Sequence, residues 1–409
     1  MRSSSVGPTD TFFLRHAIVA LSAAAFGSGM SMRVTDPMLL RLASDFAIPL
    51  GLAAWVVTAF GLAYGFSQLL FGPLGDRYGK YLVVAWGCIA CALTALLCGL
   101  MNDFTGLLFA RGLAGATAAA VIPLSMAWIG DVVRYEDRQS VLARFLVGQI
   151  LGLSAGVFVG GWCADYLNWR IPFFLIALWF LIIGAYLIRL NRSLPVHARV
   201  LHKAAGGAFA RLLPEFRAVL AVPWARIILL TVFIEGGLVF SALAFLPAHL
   251  HTVYQLSLSS AGALVMLFGL GGLVFAVGSR RLVDRLGEAG LTRYGGLLML
   301  LALWVIAYSP QWWMTLPACL CFGLGFYMLH NTLQINATQM APERRGAAVA
   351  AFASCFFLGQ SAGVALAGGL LVWTSTDHLI AAAGVGVCLI GERFSRRIAL
   401  KTSRASFTK

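Results

Sequence analysis

Polar residues in this chain gather in short clusters. Between them run apolar stretches of roughly 15–25 residues, the length of a helix that crosses ~30 Å of hydrocarbon. Twelve such stretches follow one another: Ala17–Leu39, Leu52–Phe71, Leu82–Leu100, Leu107–Ile129, Phe145–Trp162, Ile171–Ile188, Ile227–Ala248, Ser260–Val277, Tyr294–Trp312, Met314–Thr338, Ala347–Trp373 and Leu379–Ile390. The last is the shortest and is expected to run on into Glu392 and Arg393, whose long side chains can reach the interface. Arg2, Arg15 and the small residues Ala23, Ala24 and Ala25 give the first stretch a superficial likeness to a signal peptide. It continues through Arg33 and Asp36, however, and is expected to remain as the first span. The pattern predicts an all-α integral membrane protein with twelve transmembrane helices.

The polar clusters repeat. Asp76, Arg77 and Gly79 recur half a chain later as Asp284, Arg285 and Gly287, although Arg280 stands where the first copy has Gly72 and no basic residue follows Gly287 as Lys80 follows Gly79. Ser154-Ala155-Gly156-Val157 recurs as Ser361-Ala362-Gly363-Val364, Gly148-Gln149 as Gly359-Gln360, and Pro37 as Pro247, all at nearly the same offset. Two parallel six-helix bundles are therefore expected, related by an axis along the membrane normal: residues 1–190, and residues 226–409 with their basic tail. Between them residues 191–225 form a linker in which Arg192, Arg199, Lys203, Arg211 and Arg217 alternate with Phe209, Leu212, Leu213 and Phe216. This suits an amphipathic stretch lying on the membrane surface.

Composition agrees: 60% of residues are apolar and 11% charged. The net charge of +14 would invite nucleic acid as a partner, but its placement assigns it elsewhere. With twelve alternating spans and both termini in the cytoplasm, nearly all Lys and Arg fall on the cytoplasmic side. Arg33, Arg41 and Arg170 sit outside and Arg111 lies within a span. That is the positive-inside bias, and the partners it implies are anionic lipids. All eight cysteines lie in apolar spans, and Cys88-x-x-Cys91 has no nearby third ligand, so neither disulfides nor a metal site is expected. There is no phosphate-binding Gly-x-x-x-x-Gly-Lys-Ser/Thr loop and no soluble domain to carry chemistry. The chain is not expected to be an enzyme or to hold a cofactor; its energy source would be a gradient.

An ionisable group at bilayer depth costs roughly 2.5–3.5 kcal/mol, so it should face a cavity or a partner. Glu235 sits near the midplane of the seventh span and is the leading candidate for proton coupling. Arg111 lies a turn into the fourth span. Arg33 and Asp36, three residues apart, can pair. His330 and Asn331, with Gln334 and Asn336, mark one half of the tenth span. Tyr64 and Gln68 share a face of the second span, and Gln149 and Gln360 occupy similar places in the fifth and eleventh. These six (His330, Asn331, Tyr64, Gln68, Gln149 and Gln360) are the candidate cavity lining. Aromatic residues are expected mostly to pack or to face lipid.

Together, the twelve spans, two halves, long central loop and charged turn resemble the major facilitator superfamily over nearly the whole chain. The family's first signature, Gly-x-Leu-x-Asp-Arg-x-Gly followed by basic residues, is matched by Gly72, Leu74, Asp76, Arg77, Gly79 and Lys80, with Tyr81 where a further basic residue is common. The resemblance implies a gate in which Asp76 faces the positive N-terminal end of the eleventh helix while Arg77 finds an acidic or carbonyl partner, contacts that break as the halves rock. Arg111-Gly112-Leu113-Ala114-Gly115 resembles the Arg-x-x-x-Gly pattern of drug:proton antiporters, with Ala114 for the usual glutamine. Gly152, Gly156, Gly160 and Gly161 resemble the antiporter pattern of the fifth helix, with Val157 in place of its proline. Asp36-Pro37 resembles efflux members. The resemblance implies a monomeric transporter of a bacterial inner membrane that exports a small organic molecule by alternating access, with Glu235, Arg111 and Asp36 handling protons. The missing proline keeps open an importing symporter or uniporter, in which Arg33 or Arg111 would hold a substrate carboxylate. A non-transporting membrane sensor is the remaining alternative, and no signalling domain supports it.

Overall fold

The computed structural model describes residues 8–195, 198 and 208–407. Arg2, Arg199 and Lys203, and the side chains of Phe209, Arg211 and Leu212, lie outside what is described. Nearly every apolar stretch becomes one long helix: α1 (Pro8–Arg33), α2 (Trp55–Tyr78), α3 (Lys80–Leu100), α4 (Phe104–Val132), α5 (Tyr135–Tyr166), α6 (Ile171–Asn191) and α7 (Pro223–Tyr254). Next comes a single 51-residue helix, Leu258–Tyr308. At 1.5 Å per residue it would run roughly 75 Å, over twice the hydrocarbon thickness. It divides at Gly287, whose φ of 63° and ψ of 177° are not helical, into α8 (258–286) and α9 (288–308). The last three are α10 (Thr315–Gln339), α11 (Arg345–Leu370) and α12 (Thr376–Phe407). Twelve membrane-crossing helices result, and the chain is a multi-pass membrane protein.

Several boundaries differ from the hydrophobic pattern, each for a physical reason. The first span ends at Arg33 because Asp36-Pro37 interrupts it, and the chain then turns into two short helices, Leu39–Asp45 and Leu50–Ala53. Within α4 the helix breaks between Ala118 and Val121. Pro123 follows, and its ring would meet the carbonyl of Ala119 in a regular helix. The twelfth span is much longer than its apolar centre, and its charged end is held by Glu392, which pairs with Arg396 at 2.7 Å and Arg293 at 3.1 Å.

The buried side chains fall into two main clusters, one mostly from residues before the linker and one mostly from residues after it. The repeat is visible in how each half is built. A Cβ on Gly152 would collide with the Phe26 carbonyl, and one on Gly359 with the Phe233 carbonyl; Gly115 and Phe60 stand in the same relation as Gly323 and Phe268. So α5 lies backbone to backbone on α1 as α11 lies on α7, and α4 on α2 as α10 on α8. The register corrects one sequence pairing. Gly359 corresponds to Gly152, not Gly148, so Gln360 is not the counterpart of Gln149. Glycine recurs every four residues on α5, which makes a one-turn slip invisible in sequence.

Two interfaces join the halves, α2 with α11 and α5 with α8, and both are tight at the end away from the basic turns. A Cβ on Gly51 would strike the Gly368 carbonyl, and one on Gly161 the Leu258 carbonyl. Asp165, at the end of α5, caps the start of α8 across this boundary. It accepts from Leu258 N at 3.1 Å, Ser259 N at 2.6 Å and Ser259 Oγ at 2.5 Å. Deeper in, Ser354 Oγ donates to the Gly65 carbonyl at 2.7 Å. Toward the basic end, a Cβ on Gly72 or Gly346 would meet nothing within 4 Å. The helix Ala208–Ala221 of the linker lies at this end against α2, α7 and α11.

Candidate transport site

Between the halves lies a cavity of about 240 Å³, walled by α1, α5, α7, α8, α10 and α11. Its polar lining consists of Arg33, Gln149, Ser154, Tyr327, His330 and Gln334, and its rings are Phe240, Phe268, Phe326, Phe356 and Phe357. His330 is the centre of this wall. Its ring stacks on Phe326, one helical turn away, at 4.9 Å, and lies 4.6 Å from Phe356. Its Nδ1 lies 2.8 Å from Glu235 Oε2, a bond that joins α10 to α7. Glu235 is fully buried behind it, and Oε1 has no hydrogen-bond partner among the described residues. A carboxylate and an imidazole in contact, one sealed in and the other at the cavity wall, can hold a proton and pass it to the cavity.

A second charged group, on α1, also lines the cavity. Arg33, 3% exposed, pairs with Asp36 at 2.7 Å and lies 5.0 Å above the Phe240 ring. The pair is electrostatic in character: neither terminal nitrogen and neither carboxylate oxygen has an aligned hydrogen bond among the described residues. Arg111 does not reach the cavity. Its Nε donates to the Val56 carbonyl at 3.2 Å, one terminal nitrogen donates to the Ser31 carbonyl at 3.1 Å, and the guanidinium sits 4.3 Å over Phe60. It ties α1, α2 and α4 together.

Of the residues expected to line the cavity, His330 and Gln149 do so. Tyr64, Gln68, Asn331 and Gln360 do not line it. Tyr64 is packed against Phe357 at 4.3 Å in the α2–α11 interface, and Gln68 and Gln360 are buried. Polarity alone placed these four at the cavity. The phenylalanines were missed because aromatic residues in a membrane protein ordinarily pack or face lipid. The usable signal was their spacing, with Phe326 a turn before His330 on α10 and Phe352 a turn before Phe356 on α11.

At the basic end, Asp76, Arg77, Asp284 and Arg285 are all exposed, and none makes an ion pair among the described residues. The contacts expected between the turn and α11 are not made here. Lys80 pairs instead with Asp131 of α4 at 2.6 Å. Gly79 and Gly287, the glycines common to both copies, share positive φ, 90° and 63°. Only glycine enters that region without strain, which is why this position repeats while Gly72, in open space, is free to be Arg280 in the second copy.

A family model described as Major Facilitator Superfamily matches residues 21–364, most of the chain. The chain belongs to the major facilitator superfamily. Among relatives in this superfamily, the uncharacterized MFS-type transporter YceJ of Bacillus subtilis is 25% identical over 370 residues, covering 88% of this chain and 90% of its own. The multidrug export protein EmrB of Escherichia coli is 29% identical over 157 residues, 38% of this chain and 31% of its own. The nucleoside transporter NupG has the same fold, with a TM-score of 0.77 at 14% identity over 93% of this chain and 98% of its own. The peptide transporter POT gives 0.73 at 16% identity, covering 95% of both chains.

Proposed function

We propose that this superfamily member moves a small organic molecule across a bacterial inner membrane by alternating access, driven by protons that bind at Glu235 and His330. The observation that carries this reading is the Glu235–His330 bond in the cavity wall. It couples a group shut away from water to one that a cargo touches, so that protonation and cargo binding change each other's free energy. The relation to a multidrug exporter supports export as the working direction. With the basic end in the cytoplasm by the positive-inside rule, the contact of Asp165 with the start of α8 would lie on the outer side and help hold the halves together there.

Import by proton symport is a second reading, and a specific observation favours it. Arg33 and His330, the basic members of the two acid–base pairs, line the cavity, while Asp36 and Glu235 do not. A proton added to that wall strengthens the binding of an acid and weakens that of a base. An acidic cargo would therefore travel with the proton and a basic one against it. The deciding experiment compares accumulation of a chemical panel in cells with and without the protein. The responding compound is then followed in proteoliposomes under an imposed pH gradient. Gradient-driven flux that Glu235→Gln abolishes supports the reading. Unchanged gradient dependence in Glu235→Gln removes the coupling role.

A further inference from the structure

We propose that the cargo is an aromatic organic acid, its ring held among the cavity phenylalanines and its anionic group against Arg33 and His330. The proposal rests on the proton-symport reading of the transport site and names its substrate class. Three observations lead to it.

Charge comes first. No Asp or Glu lines the cavity among the described residues, and both acids near it stand behind a basic partner. Arg111 adds a further buried positive charge to the half that holds Arg33, and among the described residues it has carbonyl oxygens rather than a carboxylate as its partners. Asp36 is thus one negative charge set against two guanidinium groups. A cargo ammonium would enter against that balance, and a carboxylate would complete it.

An unused donor comes second. Arg33 is almost wholly buried and lines the cavity; its Nη2 is engaged by Asp36 at 2.7 Å, while its Nη1, likewise buried, has neither an ion pair nor a hydrogen bond among the described residues. A buried guanidinium normally spends its donors, and its planar fork matches a carboxylate. A neutral hydrocarbon cargo would leave Nη1 idle, whereas a carboxylate would accept from it as the side chain turns toward the cavity.

Shape comes third. The Phe240 ring lies beneath Arg33, Phe326 is 6.0 Å from Phe240, and Phe326 carries His330 on its face. One run of rings therefore connects the guanidinium of Arg33 to the imidazole of His330. The cavity, about 240 Å³, compares with the roughly 150 Å³ of an apolar void that takes up benzene. It has room for one or two fused rings and a short acid group.

Equilibrium binding to the purified full-length protein in detergent, with no gradient applied, tests this with three probes of one shape: 1-naphthoate, 1-naphthamide and 1-naphthylmethylamine. The acid should bind at least tenfold more tightly than the amide, and the amine more weakly than either. Arg33→Gln should erase the preference of acid over amide, and Arg33→Lys should keep part of it. If Arg33→Gln does not fold because Asp36 is left alone, the double change Arg33→Gln with Asp36→Asn removes the pair as a neutral unit and should erase the preference too. An amide or amine that binds as tightly as the acid overturns the proposal, as does an acid with no measurable binding at millimolar concentration. Because no gradient is involved, these outcomes are independent of proton coupling. Flux of an amine without binding of the acid would leave the transporter standing and remove only the acid cargo.

Discussion

Glu235 and Arg111 are both completely buried, and the structure gives them different work. Glu235 has one oxygen bonded and one free beside a residue that touches the cavity, which suits a proton that comes and goes. Glu235→Gln should therefore leave folding and cargo binding largely intact while removing the response of transport to an imposed pH gradient, as measured in proteoliposomes. Arg111 is committed to two backbone carbonyls and the face of a ring. Removing it strands buried acceptors, each worth about 1–3 kcal/mol. Arg111→Ala should lower stability by roughly 3 kcal/mol, seen as a drop in thermal unfolding temperature in detergent. Lysine should recover only part of that loss, since a point charge cannot reproduce the fork.

Glycine positions decide how the elements meet, and the repeat says which of them matter. Gly152 and Gly359 are the places where α5 and α11 rest on the main chains of α1 and α7. Gly152→Val or Gly359→Val must push two backbones apart, at a cost of about 1–3 kcal/mol or more, and should sharply lower the yield of folded protein in size-exclusion profiles. Gly72→Arg should leave that profile unchanged, because the site is open and the second copy already carries arginine there. The contact between the halves at the end away from the basic turns depends on an element end in another way. Asp165 satisfies backbone N–H groups at the first turn of α8, where a carboxylate is favoured. Asp165→Ala should bias the molecule toward opening at that end. Spin labels on Asn168 and Gln255, in a background with the native cysteines replaced, should report a longer distance between the halves, and an unchanged distance would show that the cap does not hold that contact.

At the scale of the whole molecule, the scaffold was legible in the sequence and the site only partly so. Spans, halves and the charged turn follow from apolar length and from the recurrence of Asp76-Arg77 as Asp284-Arg285, because both are local patterns. Membership of the cavity is not local. Tyr64 and Gln149 are both polar-tipped residues in the middle of a span, yet one is walled into an interface and the other faces the void, a difference set by helix rotation and by what lies opposite. The repeat helps even here by what it fails to copy. At the Gly152–Gly359 register, Arg33 corresponds to Phe240, and the guanidinium of one lies 5.0 Å over the ring of the other. Glu235 corresponds to Ser28. Duplication supplied the frame, and the charges that would do the work are the places where the copies no longer agree.

The one-residue elbows at Gly79 and Gly287 have a consequence for the surrounding lipid. Each joins an interface helix, α2 or α8, to a neighbour that faces outward: Trp86 and Leu93 on α3, Leu301 and Trp304 on α9. With no slack chain between them, any tilt that the bilayer imposes on the peripheral helix is handed to the seam between the halves. Membrane thickness thereby acts as a mechanical input, at fractions of a kcal/mol per Å of mismatch. Turnover should shift between vesicles of short-chain and long-chain lipids, and inserting two glycines after Gly79 should blunt that shift by letting the outer helix tilt alone.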